Sequence, residues 1–155
     1  MNGVVVTPEP ADGPVAVALL GRYYAELDAR FPGGFALERT VAAPVAELTP
    51  PRGLFVVARL GGAAVGCGGV RVLDADVAEI KRMWVDPASR GAGVGRTLLA
   101  ALEAGAVQLG ARTVRLDTAA SLTEALGLYR SAGYREIAAY NDNPYAAHWL
   151  ERGLD

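Results

Sequence analysis

Hydrophobic residues along the chain fall into short continuous runs and into longer stretches at helical spacing. The short runs are apolar or β-branched and are bounded by Gly, Pro or Asp, which predicts β-strands. Short turns, Gly61-Gly62 and Asp74-Ala75-Asp76, join three of these runs into a predicted antiparallel meander. The predicted strands cover residues 3–7, 53–60, 63–73, 77–85, 113–117, 134–139 and about 146–151.

Three stretches with apolar residues at helical spacing predict α-helices. The first, which Asp12 is expected to cap, is ended by Phe31-Pro32-Gly33-Gly34. The second follows a glycine-rich loop and is ended by Gly110. The third is expected to open at a capping box formed by Ser121 and Glu124 and to end at Gly133. Residues 35–51 are expected to be irregular, apart from a helical turn near residues 45–48.

The order of these elements indicates how the sheet is connected. Strand 77–85, the second helix and strand 113–117 form a strand–helix–strand unit, which predicts a right-handed parallel crossover. The strands before and after this unit pair antiparallel. We therefore predict an α/β (α+β) fold with a mixed, mostly antiparallel sheet.

A glycine-rich loop, Arg90-Gly91-Ala92-Gly93-Val94-Gly95-Arg96, lies between strand 77–85 and the second helix. Glycines at alternate positions allow the backbone to approach a bulky ligand closely. A helix start adds amide groups without partners and the positive end of the helix dipole, which suits a phosphate. Arg90 and Arg96 add positive charge, so we predict that this loop binds a pyrophosphate.

Two familiar phosphate-binding patterns fit this loop poorly. A dinucleotide fingerprint needs G-x-G-x-x-G after a strand–helix–strand arrangement, whereas the spacing here is G-x-G-x-G. A nucleoside triphosphate loop needs G-x-x-x-x-G-K-[ST], but Arg90 replaces its first glycine and Arg96 its lysine. Nucleotide hydrolysis, with Asp117 as a metal-holding aspartate, is the weaker hypothesis that follows from this pattern.

Three segments in order resemble the GNAT (Gcn5-related N-acetyltransferase) superfamily. Residues 90–95 match its [Q/R]-x-x-G-x-[G/A] loop, and residues 78–85, Ala-Glu-Ile-Lys-Arg-Met-Trp-Val, are similar to its fourth strand. Residues 125–134 are similar to its A-x-x-L-Y-x-x-x-G-[F/Y] signature, although Leu122 stands where many members have an asparagine. The resemblance covers nearly the whole chain and implies a single GNAT domain over residues 1–155.

This resemblance implies an N-acetyltransferase that moves an acetyl group from acetyl-CoA to an amine by direct attack. The fold would have helices on both faces of the sheet and a splayed parallel strand pair that admits the pantetheine arm. Coenzyme-binding residues would be Met83, Trp84, Val85, Arg90, Gly91, Ala92, Gly93, Val94, Gly95 and Arg96. The acceptor is expected to be a small molecule, and dimers are common in the family, which adds a homodimer as an expectation. The alternative is a non-catalytic coenzyme A-binding sensor.

Two residues are candidates for the chemistry by the same resemblance. Glu79 is expected to be the base, on a strand face that alternation assigns also to Lys81, Met83 and Val85. Its structural alternative is a sheet carboxylate paired with Lys81 or Arg82. Tyr129 is expected to donate a proton to the leaving thiolate, and its structural alternative is an aromatic residue in the core.

Other polar and reactive residues have simpler explanations. Cys67 lies in an apolar run and is expected to be a core residue, and the chain's one histidine, His148, argues against metal chemistry. Trp84 and Trp149 are expected to pack in the interior. The polar, aromatic segment at residues 140–145 is explained equally well as a turn or as a wall of the acceptor site.

Composition excludes several other classes of function. The net charge of −2 offers no general attraction for nucleic acid or for an acidic membrane surface. A single cysteine permits no disulfide within the chain, which is typical of a reducing compartment. Residues 1–6 do not resemble a signal peptide, and no apolar run approaches a membrane span. We therefore expect a cytoplasmic protein without membrane or nucleic-acid partners and without a metal cofactor.

Overall fold

A computed structural model describes residues 3–40 and 42–154, so Met1 and Asn2 of the N-terminal segment lie outside the described residues. A seven-stranded sheet has the order β1-β2-β3-β4-β5-β7-β6. All neighbouring pairs are antiparallel except β4 and β5, which confirms the predicted sheet. The strands are β1 (Val4–Pro8), β2 (Gly53–Leu60), β3 (Ala63–Asp74), β4 (Val77–Val85), β5 (Thr113–Thr118), β6 (Arg135–Ile137) and β7 (His148–Gly153).

Helices cover both faces of this sheet, as the family resemblance implies. The helices are α1 (Pro14–Arg30), α2 (Val94–Gln108) and α3 (Thr123–Ser131), and short 3₁₀ turns lie at Leu37–Arg39, Val45–Leu48 and Pro87–Ser89. Helix α1 packs Leu19 and Leu20 on one face, against Phe55 and other residues of the sheet. Helices α2 and α3 pack on the opposite face. None of the helices in the described part of the chain is both long and apolar enough to cross a bilayer.

Both predicted side-chain caps are wrong. Helix α1 begins at Pro14 with Gly13 in the cap position, and no side chain there, including that of Asp12, caps the helix. A proline suits the first turn because its missing N–H would have no partner there. Helix α3 begins at Thr123 with Leu122 as its cap, so Ser121 lies one residue too early to form the expected capping box. Residues 119–122 form a turn instead, in which the Leu122 N–H donates to the Ala119 carbonyl oxygen.

A β-bulge interrupts β4 at Arg82. Cys67 of β3 lies opposite Trp84 and Gly69 lies opposite Lys81, so Gly68 faces the two residues between them. Arg82 has φ 58°, a left-handed conformation that is uncommon for an arginine. An extra residue reverses the alternation of the strand beyond it.

This reversal changes which residues of β4 share a face. Ile80 belongs to the core under α2 and α3, and beyond the bulge Met83 and Val85 pack against that same core. Trp84 is buried in the core under α1. Glu79, at an odd position before the bulge, therefore lies on the face opposite Met83 and Val85. The expectation that Glu79 shares a face with Met83 and Val85 is wrong, because strict alternation does not allow for the bulge.

The parallel strands β4 and β5 pair over only three positions before they diverge. Their register ends at Glu79 opposite Arg115. Beyond that point β4 continues beside β3 to Val85, whereas β5 continues beside β7 to Thr118. The divergence confirms the splayed strand pair and opens a gap in the middle of the sheet.

Candidate functional site

A cavity of about 290 Å³ lies between the glycine-rich loop, the end of β4, and helices α1 and α3. We call it the loop cavity. Its floor is formed by the last strand residues before the turn, Met83, Trp84 and Val85. Because β4 has left β5 at this depth, this end of the strand has an edge that is not paired with β5. An extended ligand with amide groups can pair with such an edge.

The glycine-rich loop has a backbone that favours anion binding. Gly91 and Gly93 have φ values of 90° and 83°, in the left-handed region that glycine adopts without strain. Gly93 is the N-terminal cap of α2, so the helix begins within the loop. The first amides of a helix have no acceptor inside it, and its dipole places partial positive charge at this end. The geometry supports the predicted phosphate site.

The arginine that opens the loop is held by a carboxylate of α1. Arg90 Nη2 lies 3.0 Å from Glu26 Oε2, and Trp84 donates to Glu26 Oε1 at 2.9 Å. Arg30 bridges Glu26 and Glu124 at 3.1 Å and 3.0 Å. Burial raises the pKa of Glu26, but the hydrogen bonds from Trp84 and Arg90 outweigh it and hold the pKa below its usual range. An anion at the loop must therefore compete with an ionised Glu26 for Arg90.

A second cavity, of about 100 Å³, lies in the gap between the diverging strands β4 and β5. We call it the aromatic cavity. Four aromatic rings on one side of it contact one another: Tyr24 stacks on Phe35, and Tyr145 contacts both Phe31 and Phe35. Lys81 and Arg82 line it from β4, and Asp117 lines it from β5. This cavity combines an apolar wall with several charged groups.

The two cavities meet at a small set of shared residues: Tyr23, Met83, Leu122, Ala125 and Tyr129. Burial raises the pKa of Tyr129 well above its ordinary value, and the charge of Asp117 raises it further, so the hydroxyl remains protonated. Burial also raises the pKa of Tyr23, and the neighbouring Tyr129 contributes to that rise. Tyr129 thus lies at the junction of the two cavities, where a ligand in one cavity would approach a ligand in the other.

Tyr23 is a site residue that the sequence did not single out. In the sequence it belongs to the apolar stripe of the first helix, and nothing marks it as different from Leu19 or Leu27. Tyr23 reaches both cavities because α1 packs over the gap between β4 and β5. Its spacing alone carries no signal for a role in the site.

Both carboxylate oxygens of Glu79 accept hydrogen bonds within the protein. Arg71 donates to Glu79 Oε1 through Nη2 at 2.8 Å and through Nε at 3.0 Å. The hydroxyl of Tyr140 donates to the other carboxylate oxygen at 2.7 Å. The partner cation is therefore Arg71 and not Lys81 or Arg82. Glu79 is not among the described residues that line either cavity, and its role as a base stays a prediction.

Asp117 is held by the polar segment that precedes β7. Asn141 and Asn143 donate their side-chain amides to its two oxygens at 2.7 Å and 3.2 Å. Asn141 and Asn143 also accept backbone N–H groups two residues ahead, as in a turn. Asn143 and Tyr145 line the aromatic cavity. The segment therefore forms a turn and also one wall of the aromatic cavity, and its place in an acceptor site stays a prediction.

The structure brings together the predicted coenzyme-binding residues with one exception. All of them except Ala92 line the loop cavity. Cys67 is a buried free thiol, as expected of a core residue. His148 lies 2.7 Å from Glu136. The described residues contain no group of three or more side chains of His, Cys, Asp or Glu that is placed to hold a metal ion.

Comparison with known proteins gives several matches to acetyltransferases. The family model "Acetyltransferase (GNAT) family" matches residues 21–134. An IAA acetyltransferase from Azospirillum brasilense is 34% identical over 99 residues, 63% of this chain and 63% of the relative. The N-alpha-acetyltransferase RimI of Mycobacterium tuberculosis is 39% identical over 98 residues, 59% of this chain and 58% of the relative. The matches thus span less than two thirds of the length of these curated relatives.

Solved structures of acyltransferases also superpose on this chain. A Klebsiella pneumoniae protein described as an acyl-CoA N-acyltransferase superposes with a TM-score of 0.81 at 28% identity, covering 100% of both chains. An Elizabethkingia anophelis GNAT acetyltransferase with acetyl-CoA bound superposes with a TM-score of 0.69 at 20% identity, covering 99% of this chain and 100% of its own. The second likeness shows the fold. Since the family model matches well over half of the sequence, the chain belongs to the GNAT family of acetyltransferases.

Proposed function

We propose that this protein transfers an acetyl group from acetyl-CoA to the amine of a small molecule. The observation that carries the proposal is the meeting of two cavities at Tyr129, one of which begins at the glycine-rich loop. A coenzyme needs a long path with an anion site at its outer end, and an acceptor needs a separate entrance to the same point. The bound coenzyme of the Elizabethkingia structure supports acetyl-CoA as the donor.

The residues of the loop cavity fit such a donor. The first amides of α2, together with Arg90 and Arg96, supply the positive end that a pyrophosphate needs. The unpaired edge of β4 near Met83 and Val85 suits the amides of a pantetheine arm. Apolar residues of α3, Ala125 and Leu128, close the cavity from the other side. The acetyl thioester would then lie close to Tyr129.

The transfer needs an amine without its extra proton and a proton for the leaving sulfur. Acetyl-CoA supplies the thioester: a C–N bond forms to the amine, the C–S bond breaks, the amine loses a proton and the thiolate gains one. In this proposal Tyr129 donates that proton, since its buried hydroxyl remains protonated. For the base, Asp117 is the carboxylate that lines the aromatic cavity, whereas Glu79 would have to act through intervening groups.

Calorimetry with coenzyme A, followed by an assay of free thiol with acetyl-CoA and a panel of amines, tests the proposal. We expect coenzyme binding and thiol release that depends on the amine. Coenzyme binding without turnover on any amine would instead support the sensor alternative. Binding of ATP with magnesium, and no binding of coenzyme A, would refute the proposal altogether.

A further inference from the structure

The charges of the aromatic cavity indicate what kind of amine it accepts. Lys81 and Arg82 both line this cavity and both are only partly exposed. Within the described part of the chain, neither the ammonium of Lys81 nor the guanidinium of Arg82 has a hydrogen-bond or ion-pair partner. Partly buried cations without a partner carry a desolvation penalty that a bound anion would relieve.

The position of Arg82 follows from the bulge in β4. Neighbouring residues of a regular strand point to opposite faces, but the extra residue at Arg82 breaks that rule. Arg82 and Tyr24 line the same cavity, and the charge of Arg82 opposes the rise in the pKa of Tyr24 that burial causes. Tyr24 belongs to the aromatic wall, so the cation and the apolar wall face the same space.

Asp117 gives the aromatic cavity a negative charge at a different point from the two cations. Among the described residues that line the aromatic cavity, it is the one carboxylate. Its charge raises the pKa values of Tyr129 and Tyr23, which places it near the junction of the two cavities. Asn141 and Asn143 use one hydrogen-bonding position on each oxygen, and a carboxylate has further positions for an amine. An amine next to Asp117 would thus lie near the acetyl group.

We propose that the acceptor is an aminocarboxylate with an apolar or aromatic side group, whose carboxylate binds Lys81 and Arg82 while its amine lies beside Asp117. The proposal rests on the acetyl transfer proposed above and adds the class of substrate. A carboxylate suits the planar fork of a guanidinium. The rings of Phe31, Phe35 and Tyr145 would contact the side group of the acceptor.

Matched pairs of acceptors test this inference. Phenylalanine, methionine and leucine are each compared with the amine that lacks the carboxylate: phenethylamine, 3-(methylthio)propylamine and isoamylamine. Release of free thiol from acetyl-CoA gives kcat/KM for each compound. We expect at least one amino acid to exceed its amine by about tenfold or more, since a charge-assisted hydrogen bond contributes about that factor. O-phosphoethanolamine against ethanolamine tests whether a phosphate serves as the anion instead.

Variants then link the preference to the two cations. In Arg82→Met and Lys81→Met the ratio of amino acid to amine should fall toward one, whereas Arg82→Lys should keep part of it. Arg112→Met, an exposed arginine outside both cavities, is the control and should leave the ratio unchanged. Calorimetry with coenzyme A confirms that each variant is folded and binds the donor.

The outcomes separate this inference from the proposed function. Equal or better turnover of the amines that lack a carboxylate, or a preference for the phosphate compound, overturns the aminocarboxylate inference but leaves acetyl transfer in place. Coenzyme binding without turnover of any compound in the panel also overturns it. Failure of the wild-type protein to bind coenzyme A refutes the proposed function itself.

Discussion

The ion pair between Arg71 and Glu79 allows a quantitative test of whether Glu79 is a structural or a catalytic residue. The side chains of Arg71 and Glu79 are 8% and 1% exposed. Arg71 also donates to the Ala42 carbonyl oxygen at 2.9 Å and to Glu47 at 2.8 Å. Replacing Arg71 by methionine removes all of these contacts and leaves the Glu79 carboxylate buried without a cation. Loss of one partner of a buried pair typically destabilises a protein by about 3–5 kcal/mol.

Removing both partners should be far less harmful than removing one. A buried ion pair replaced by apolar side chains of similar volume is often neutral or stabilising. The double variant Arg71→Met/Glu79→Met does leave Tyr140, Glu47 and the Ala42 carbonyl each without one partner, which costs about 1–3 kcal/mol for each polar group that stays buried. The partners of Glu47 and Ala42 are lost in Arg71→Met as well, so the two variants differ in whether Glu79 is left as an unpaired buried charge. We therefore expect the double variant to be more stable than Arg71→Met alone.

Urea denaturation of the wild-type protein, Arg71→Met, Glu79→Met and the double variant measures the free energy of unfolding of each. Arg135→Met is the matched control, because Arg135 is 71% exposed in its pair with Glu151 and such pairs contribute about 0–1 kcal/mol. An Arg71→Met variant that is no less stable than this control would refute the reasoning. Acetyl transfer by the double variant then decides the role of Glu79: retained turnover excludes it as the base, and loss of turnover in a folded variant supports it.

Two further variants test other parts of the site, and a labelling experiment tests the burial of Cys67. Tyr129→Phe should lower turnover by about 100-fold or more without changing coenzyme affinity, and an unaltered rate would remove Tyr129 as the acid. Gly93→Val should destabilise the fold by about 1–2 kcal/mol, because φ is 83° at this position. The loss in free energy of coenzyme binding should be larger than this, and an unchanged coenzyme affinity would contradict the loop site. Burial raises the pKa of Cys67 to about 12, so iodoacetamide should label this thiol only after unfolding; labelling of the native protein would contradict its burial.

The ion pair between Arg90 and Glu26 leads to a further prediction for coenzyme binding in the loop cavity. Glu26→Gln removes a negative charge beside the proposed pyrophosphate site and frees Arg90, so coenzyme affinity should rise several-fold, most strongly at low ionic strength. Asp142→Asn, which removes a carboxylate that is not among the described residues lining either cavity, is the matched control. Weaker binding in Glu26→Gln would indicate that Glu26 mainly holds Arg90 in position.

Local patterns in the sequence determined most of the fold. Runs of apolar residues bounded by Gly-Gly and Asp-Ala-Asp turns predicted β2 and β4 to their terminal residues, because both strands are defined by burial and by short turns next to them. The phosphate loop could be predicted from the sequence for a similar reason. Its glycines and the helix start act through the backbone of adjacent residues, so their function depends little on distant parts of the chain.

The helix caps were harder to predict from the sequence, because several residues near the start of each helix are able to cap that helix. Asp12 and Ser121 have suitable side chains, but Gly13 and Leu122 occupy the cap positions. The exact residue at which a helix begins depends on how the preceding turn packs, and a difference of one residue is enough to exclude a cap.

Tertiary structure alone decided the composition of the site. The bulge at Arg82 depends on how β4 pairs with β3, and it moves Met83 and Val85 to the face opposite Glu79. The partner of Glu79 is Arg71 on the neighbouring strand, which no spacing within β4 reveals. Tyr23 reaches the junction of the cavities only because α1 packs over the diverging strands. The sequence determines which segments form strands and helices through local interactions, whereas side chains that converge from distant segments are brought together by packing.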